Sequence, residues 1–358
     1  KISMMNVGFD MGFLNDRLKF EVDFFKRKRS GIPAEPTDII YPYEAGYSVQ
    51  KQNLNSDQVS GVDGMVRWND RVSDFNYFVG VNLTLARQKT INNYGEVFLN
   101  AWDQYRWAQT NRWSNVKNGA VWMWETIGVF QTQEEIDNYP VNIDGANNVN
   151  LRPGDLIFKD VNGDGLIDDY DKRPLGYAAT DYDWDRGNAN KNPLLSMGIN
   201  LGFEYKGIDF AADFAGGFMN TFVGDWHVKY GIGTDQMGYV YNVIDSWQHE
   251  DIFDTKSPWK RGKFPAVRSN NPSIRDWNDF YAKEINYLRL RNLVVGYTLP
   301  IKWTKKALIQ KLRVYFEGSN LLCWDSLNDF GFDPEISSVT GFDYPQHKVY
   351  TVGVNVTF

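Results

Sequence analysis

Apolar and polar residues alternate along this chain, and the alternation recurs in blocks. Met5, Val7, Phe9, Met11 and Phe13 are separated by Asn6, Gly8, Asp10 and Gly12. A period of two sends apolar side chains to one face of a β-strand and polar ones to the other. Asn15-Asp16 is a turn pair, and beyond it Leu18, Phe20, Val22 and Phe24 alternate with Lys19, Glu21 and Asp23. Residues 5–24 therefore read as a hairpin. An irregular stretch is expected over roughly 26–57, where Gly31, Pro33, Pro36 and Pro42 punctuate the chain.

The same pattern returns at 62–68, 75–85, 195–205, 208–214, 285–299, 312–323 and 346–358, with a tight turn at Lys206-Gly207. One block slips phase. Leu288 and Leu290 are even, whereas Leu293, Val295, Tyr297 and Leu299 are odd, which predicts a β-bulge near Arg291-Asn292. The last block sets Tyr350, Val352, Val354, Val356 and Phe358 on one face, and Thr351, Gly353, Asn355 and Thr357 on the other. Ending on an aromatic at the close of a strand fits the closing, assembly-competent strand of an outer-membrane barrel better than the frayed end of a soluble sandwich.

The connections sort by length. Short ones fall at 14–16, 70–74, 206–207 and 300–311; long ones fall at 26–57, 91–193, 219–283 and 324–346. A soluble sandwich has no reason to alternate short with long, whereas an outer-membrane barrel has short periplasmic turns and long extracellular loops. The expected fold is thus all-β, an antiparallel transmembrane β-barrel of about nine strands, with any strand-like piece at 120–131 inside the large loop. Asp10, Asp23, Glu204, Asp209 and Asp213 all fall on the polar face, where a lumen would receive them.

Composition narrows the alternatives. No run nears the roughly 18 apolar residues of a membrane helix, which leaves a barrel open. A single cysteine, Cys323, excludes an internal disulfide framework, and a net charge of −7 argues against nucleic acid. Opening on Lys1, directly in strand pattern, leads us to expect a fragment with more strands upstream.

Two constellations carry chemistry. In DVNGDGLIDDYD, Asp160, Asn162 and Asp164 occupy positions one, three and five, with Gly165 at the sharp turn. Leu166 offers a carbonyl at seven, followed by Asp168 at nine and Asp171 at twelve. This is the oxygen-ligand spacing of a calcium loop, with Asp replacing the final Glu. Ca2+ is the expected ion, Mg2+ the alternative, and a solvated acidic turn the reading without metal. No helical pattern flanks it, so its role would be to clip a very long loop. The second constellation is aromatic: Trp102, Trp107, Trp113, Trp122 and Trp124, with Tyr182 and Trp184 set among carboxylates and amides. Aromatic faces beside such groups suit carbohydrate, although the same rings could pack loop on loop. Nothing resembles a catalytic centre. His227, His249 and His347 lie far apart without a nucleophile motif, and no carboxylate pair stands out as a glycosidase would need.

Four segments, GDLIFKDVNGDGLIDDYDKRPLG (154–176), NPLLSMGINLGFEYKGIDFAADFAG (192–216), AKEINYLRLRNLVVGYTLP with LRVYFEGSNLLCW (282–300 and 312–324) and YPQHKVYTVGVNVTF (344–358), resemble the C-terminal portion of SusC/RagA-type TonB-dependent outer-membrane transporters. FLNDRLKFEVDFFKRKRSGI (13–32) is similar to a hairpin of that family. The resemblance implies about the last nine strands of a 22-stranded barrel, residues 1–358 forming one part of it and 91–193 its large extracellular loop. It also implies import of glycan oligosaccharides, or peptides in RagA-like members, across the outer membrane of Bacteroidetes-type bacteria. A SusD-like lipoprotein would cap the outer face, and TonB would act through an N-terminal part, including a plug, that lies upstream. The function of a different class that fits the same residues is a surface β-rich glycan-binding module that crosses no membrane.

Overall fold

The computed structural model describes residues 1–36, 42, 44, 46, 49–92, 94, 120–177, 193–223, 245–266, 278–327, 333–335 and 346–358, with backbone alone at 90, 120–122, 174, 177, 222 and 223. In chain order the elements are β1 (Ile2–Phe13), β2 (Leu18–Ala34), β3 (Gln52–Val72), β4 (Phe75–Asn92), β5 (Ala120–Met123), β6 (Thr126–Val129), α1 (Gln133–Asp137), β7 (Leu156–Phe158), β8 (Arg173–Tyr177), β9 (Leu195–Tyr205), β10 (Ile208–Val223), β11 (Gln248–His249), β12 (Trp259–Lys260), β13 (Ala282–Thr298), α2 (Ile301–Thr304), β14 (Lys311–Asp325) and β15 (Val349–Thr357).

Nine long strands form one antiparallel meander in the order β1-β2-β3-β4-β9-β10-β13-β14-β15. β4 pairs directly with β9, so everything between Asn92 and Leu195 is a single connection, as the alternation of lengths required. The short turns have the chemistry expected of them. Lys206 and Gly207 both take positive φ (47° and 87°), matching the right-handed twist of β9 and β10.

Register proves the two faces. An apolar row runs across six strands through Tyr77, Phe203, Phe210, Val295, Phe316 and Val352. One residue along each strand, the opposite face carries Asn76, Glu204, Asp209, Gly296, Tyr315 and Gly353. None of the outward odd residues from Leu195 to Tyr205 is buried. The apolar face is therefore not the interior of a sandwich. No described helix is long and apolar enough to cross a membrane; the wall is made of strands.

The bulge of β13 lies at the expected place, with the register shifting between Leu290 and Asn292 against both β10 and β14. The stretch near 26–57 departs from expectation. β2 continues to Ala34 and β3 begins at Gln52, the two pairing as far as Ala34 and Gln52. The register shifts on either side of Ile32, beside Gly31 at φ 72°, so the alternation changes phase there and vanishes from a simple count.

A second layer sits on the long-connection side. β5 pairs with β8, β6 with β7 and β11 with β12, all outside the wall, as expected for the 120–131 segment. Trp124, Phe130, Ile136, Ile143, Leu156 and Phe158 form its core, with Tyr281 from the entry to β13 packed among them. Thr132 caps α1 by accepting from the Glu135 N–H, and buried Ile136 is its contribution to that core.

Candidate functional site

The inner face of the wall is a polar surface held by side-chain pairs. Near the short turns, Arg313 donates to Asp209 from Nε at 2.9 Å and from a second guanidinium nitrogen, crossing Gly296. A Cβ at Gly296 would sit 2.5 Å from Asp209 Oδ1 and 2.6 Å from Arg313 Nε, so only glycine leaves room for the pair to lie flat on the sheet. Arg71, Asn76, Glu204, Asp209 and Arg313 help to line a cavity of about 840 Å3 at this end. Arg67 lies over the ring of Phe78 at 5.4 Å.

Toward the long connections the inner face becomes a buried ionic knot. One terminal nitrogen of the Arg289 guanidinium donates to both oxygens of Asp333 at 2.7 Å, and its Nε lies 3.0 Å from Glu335. Glu335 also accepts from Arg291 and, at 3.0 Å, from the Gln346 amide. Arg289 and Arg291 stand two residues apart in β13, so both reach Glu335 while Asp333 pairs with Arg289 alone; the two carboxylates belong to the β14–β15 connection. Nothing in the sequence signalled these partners, because Arg289 and Asp333 are 44 residues apart. Arg29 and Asp57 form a comparable pair between β2 and β3.

The acidic loop folds as a chain of turns. Asp160 accepts from the Gly163 N–H at 2.6 Å and the Gly165 N–H at 2.9 Å, and Asp164 accepts from the Leu166 N–H. Asp168 caps the turn at Asp169–Asp171 by accepting from the Tyr170 N–H. Asp171 is fully buried, its two oxygens taken by the N–H groups of Val161 and Asp168, both at 2.8 Å. Burial pushes the Asp171 carboxyl above the ordinary carboxylate range, against the opposing pull of backbone N–H groups and with the nearby Asp160 adding to the rise. The Asn142 N–H donates to the Gly165 carbonyl and the Ile167 N–H to the Asn142 carbonyl, so the loop is strapped to its layer. All the side-chain donors are oxygens, which suits a hard cation. They are nevertheless turned onto backbone N–H groups, and among the described residues no three acidic, His or Cys side chains gather about one point.

Of the aromatic candidates, Trp102, Trp107, Trp113, Tyr182 and Trp184 lie outside the described residues, as does the side chain of Trp122. Trp124 is placed, and it is a core residue. Its Nε1 donates to the Asp168 carbonyl at 2.7 Å, and the Lys172 ammonium covers its ring at 4.1 Å. The ring is thus a strut between the acidic loop and the core, with no face left for a sugar. Tyr350, Val352, Val354, Val356 and Phe358 are all exposed at the β15 edge.

These features define a class: an antiparallel β-barrel wall with a polar inner face, an apolar outer face and a packed loop layer at one end. Along 99% of its length the chain is 23% identical to "TonB-dependent receptor P3" of Formosa agariphila. Along 100% it is 22% identical to "TonB-dependent receptor SusC" of Bacteroides thetaiotaomicron. It spans about a third of those curated relatives, 34% and 32% of their lengths. No protein-family profile matches the chain. Among solved structures, the RagAB peptide transporter superposes with a TM-score of 0.64 at 23% identity, covering 100% of this chain and 35% of that one. The RagAB peptide importer in its open-open state gives 0.65 at 21% identity, covering 100% and 34%. The chain is therefore similar, from end to end, to about a third of a SusC/RagA-type TonB-dependent receptor.

Proposed function

We propose that the chain is the C-terminal part of an outer-membrane TonB-dependent importer of glycan oligosaccharides, working beneath a SusD-like surface lipoprotein. The observation that carries this reading is the nine-strand meander, apolar on one face and polar on the other, with its long connections all on one side. In this reading the outer rows meet lipid and the inner rows line the passage. Further strands close the barrel on the open edges of β1 and β15, and the stretch from Tyr350 to Phe358 serves as its assembly strand. Energy reaches the passage from TonB through the upstream part. The relatives are receptors and transporters, in keeping with a non-enzymatic role.

Oligosaccharide is favoured by the Trp- and carboxylate-rich large loop; peptide is favoured by the likeness to a peptide transporter. The full-length protein, purified in detergent with its lipoprotein, separates the readings by native mass spectrometry against neutral oligosaccharides and mixed peptides. Retained oligosaccharide supports the first and retained peptide alone transfers the assignment to the second. Full solubility without detergent would leave only the surface glycan-binding module.

For the acidic loop we propose a structural Ca2+, with Mg2+ as the competing ion. Asp160, Asn162, Asp164, Asp168 and the Leu166 carbonyl would supply oxygens once the carboxylates turn from their N–H partners, while Asp171 holds the loop from beneath. The ion would neutralise the acidic cluster and stiffen the connection. Metal analysis after dialysis, together with protease cleavage across 160–171 with and without chelator, tests this. Stoichiometric Ca2+ with chelator-induced cleavage is expected; no metal and no change would refute it.

A further inference from the structure

On the short-turn side, the β13–β14 connection is unlike its neighbours. The other turns there are tight, whereas residues 300–310 fold into α2 and a following helical turn. The segment is rigidly seated. The Leu299 N–H donates to the Leu312 carbonyl at 2.8 Å, the Gln310 N–H to the Thr357 carbonyl at 2.8 Å, and Thr304 is buried beneath it. Yet it holds out three large apolar side chains: Ile301 is 57% exposed, Trp303 69% and Leu308 84%. Lys302, Lys305 and Lys306 are exposed beside them, and none is paired with a carboxylate among the described residues. No acidic residue occurs between Leu299 and Glu317.

The surface continues one already described. The outward face at this end of the wall is a band of rings, with Phe203 stacked on Phe210 at 5.3 Å and on Phe75 at 5.5 Å, and with Tyr205 and Tyr297 beyond them. Tyr297 is three residues before Pro300, so the chain leaves the band and enters the cationic turn directly. Aromatic bands of this kind mark the boundary between hydrocarbon and headgroups. A fixed turn that offers Trp, Ile and Leu together with unpaired lysines fits that boundary, the apolar groups entering the acyl region and the ammonium groups meeting phosphate.

We propose that residues 300–310 form an interfacial clamp that binds anionic glycerophospholipid headgroups of the leaflet on the short-turn side. The proposal rests on the barrel reading above, and its test separates the two. The full-length protein, with native cysteines replaced, carries a bimane probe at Leu308→Cys or, as a mid-wall control on the outward face of β4 six residues beyond Tyr77, at Leu83→Cys. Each is reconstituted into phosphatidylethanolamine vesicles with or without phosphatidylglycerol and containing lipids with shallow or deep nitroxides. The probe at 308 should be quenched by shallow nitroxides and shielded from iodide, and the probe at 83 by deep ones. In native mass spectra, the combined variant Lys302→Gln, Lys305→Gln, Lys306→Gln should retain at least roughly tenfold less phosphatidylglycerol. Deep quenching at 83 with iodide access at 308 overturns the clamp and leaves the barrel standing. Absence of quenching at both positions overturns the barrel reading, and the clamp with it. Shielding of 308 only when a co-purified protein is present assigns the surface to that protein and refutes the lipid assignment.

Discussion

Phe24 and Phe158 are the same residue in opposite circumstances. Phe24, on the outward face of β2 opposite Val62 and Val7, is 49% exposed; Phe158, in β7, is fully buried. The wall spends its large apolar residues on a surface one residue thick, stabilised by ladder hydrogen bonds and by whatever medium wets its outer face. The loop layer gathers them into a conventional core with polar residues outside. One chain thus carries two hydrophobic patterns, because hydrocarbon and water ask opposite things of an apolar side chain. The contrast extends to charge. The wall places its ion pairs on the inner face, whereas in the loop layer Asp144, Asp160, Asp168 and Asp171 accept from backbone N–H groups, and only Glu125 and Asp169 are paired with lysines among its described residues.

The sharpest break of that contrast is Phe158→Ala. It should destabilise the loop layer by about 3–5 kcal/mol, read as protease cleavage within 120–177. Heat-modifiable migration of the barrel in detergent gels should be unchanged, and equal loss of both would mean that the two regions do not fold separately. Arg289→Ala leaves Asp333 without its counter-charge and Glu335 with Arg291 alone, and should cost about 3–5 kcal/mol. Release of the β14–β15 connection, seen as new cleavage in 326–348, is the expected readout.

On the wall itself, Val79→Arg faces outward and should cost about 2–4 kcal/mol in a bilayer. Asn200→Arg, inward and next to Asp213, should cost close to nothing. Refolding titrations into vesicles measure both, and similar costs would sink the assignment of faces. The smallest effect concerns pH. Burial alone would raise the Asp144 carboxyl, but N–H groups of Asn150, Ala146 and Asn148 outweigh it and hold it below the ordinary range. Its stabilisation of the 142–151 turn is therefore complete above about pH 4 and lost as the pH falls through the depressed value. Protection against amide exchange across 142–151, taken relative to the intrinsic rate at each pH, should fall in acid, and Asp144→Asn should abolish that dependence.

The alternation by itself determined the wall: β9 runs over the residues that alternate, the turn falls at Lys206-Gly207, and the β13 bulge stands where the phase slips. Those features are local, set by side-chain period and turn geometry, so they can be read from neighbours in sequence. The same reading failed at 26–57, where the phase change beside Gly31 hid the pairing of β2 with β3. Only the tertiary structure decided that Trp124 is a strut in the core, that Asp171 is sealed beneath the acidic loop, and that Asp333 and Glu335 answer Arg289 and Arg291. Each depends on contacts between segments far apart in the chain, and a carboxylate or a tryptophan carries no local mark of the partner that will cover it.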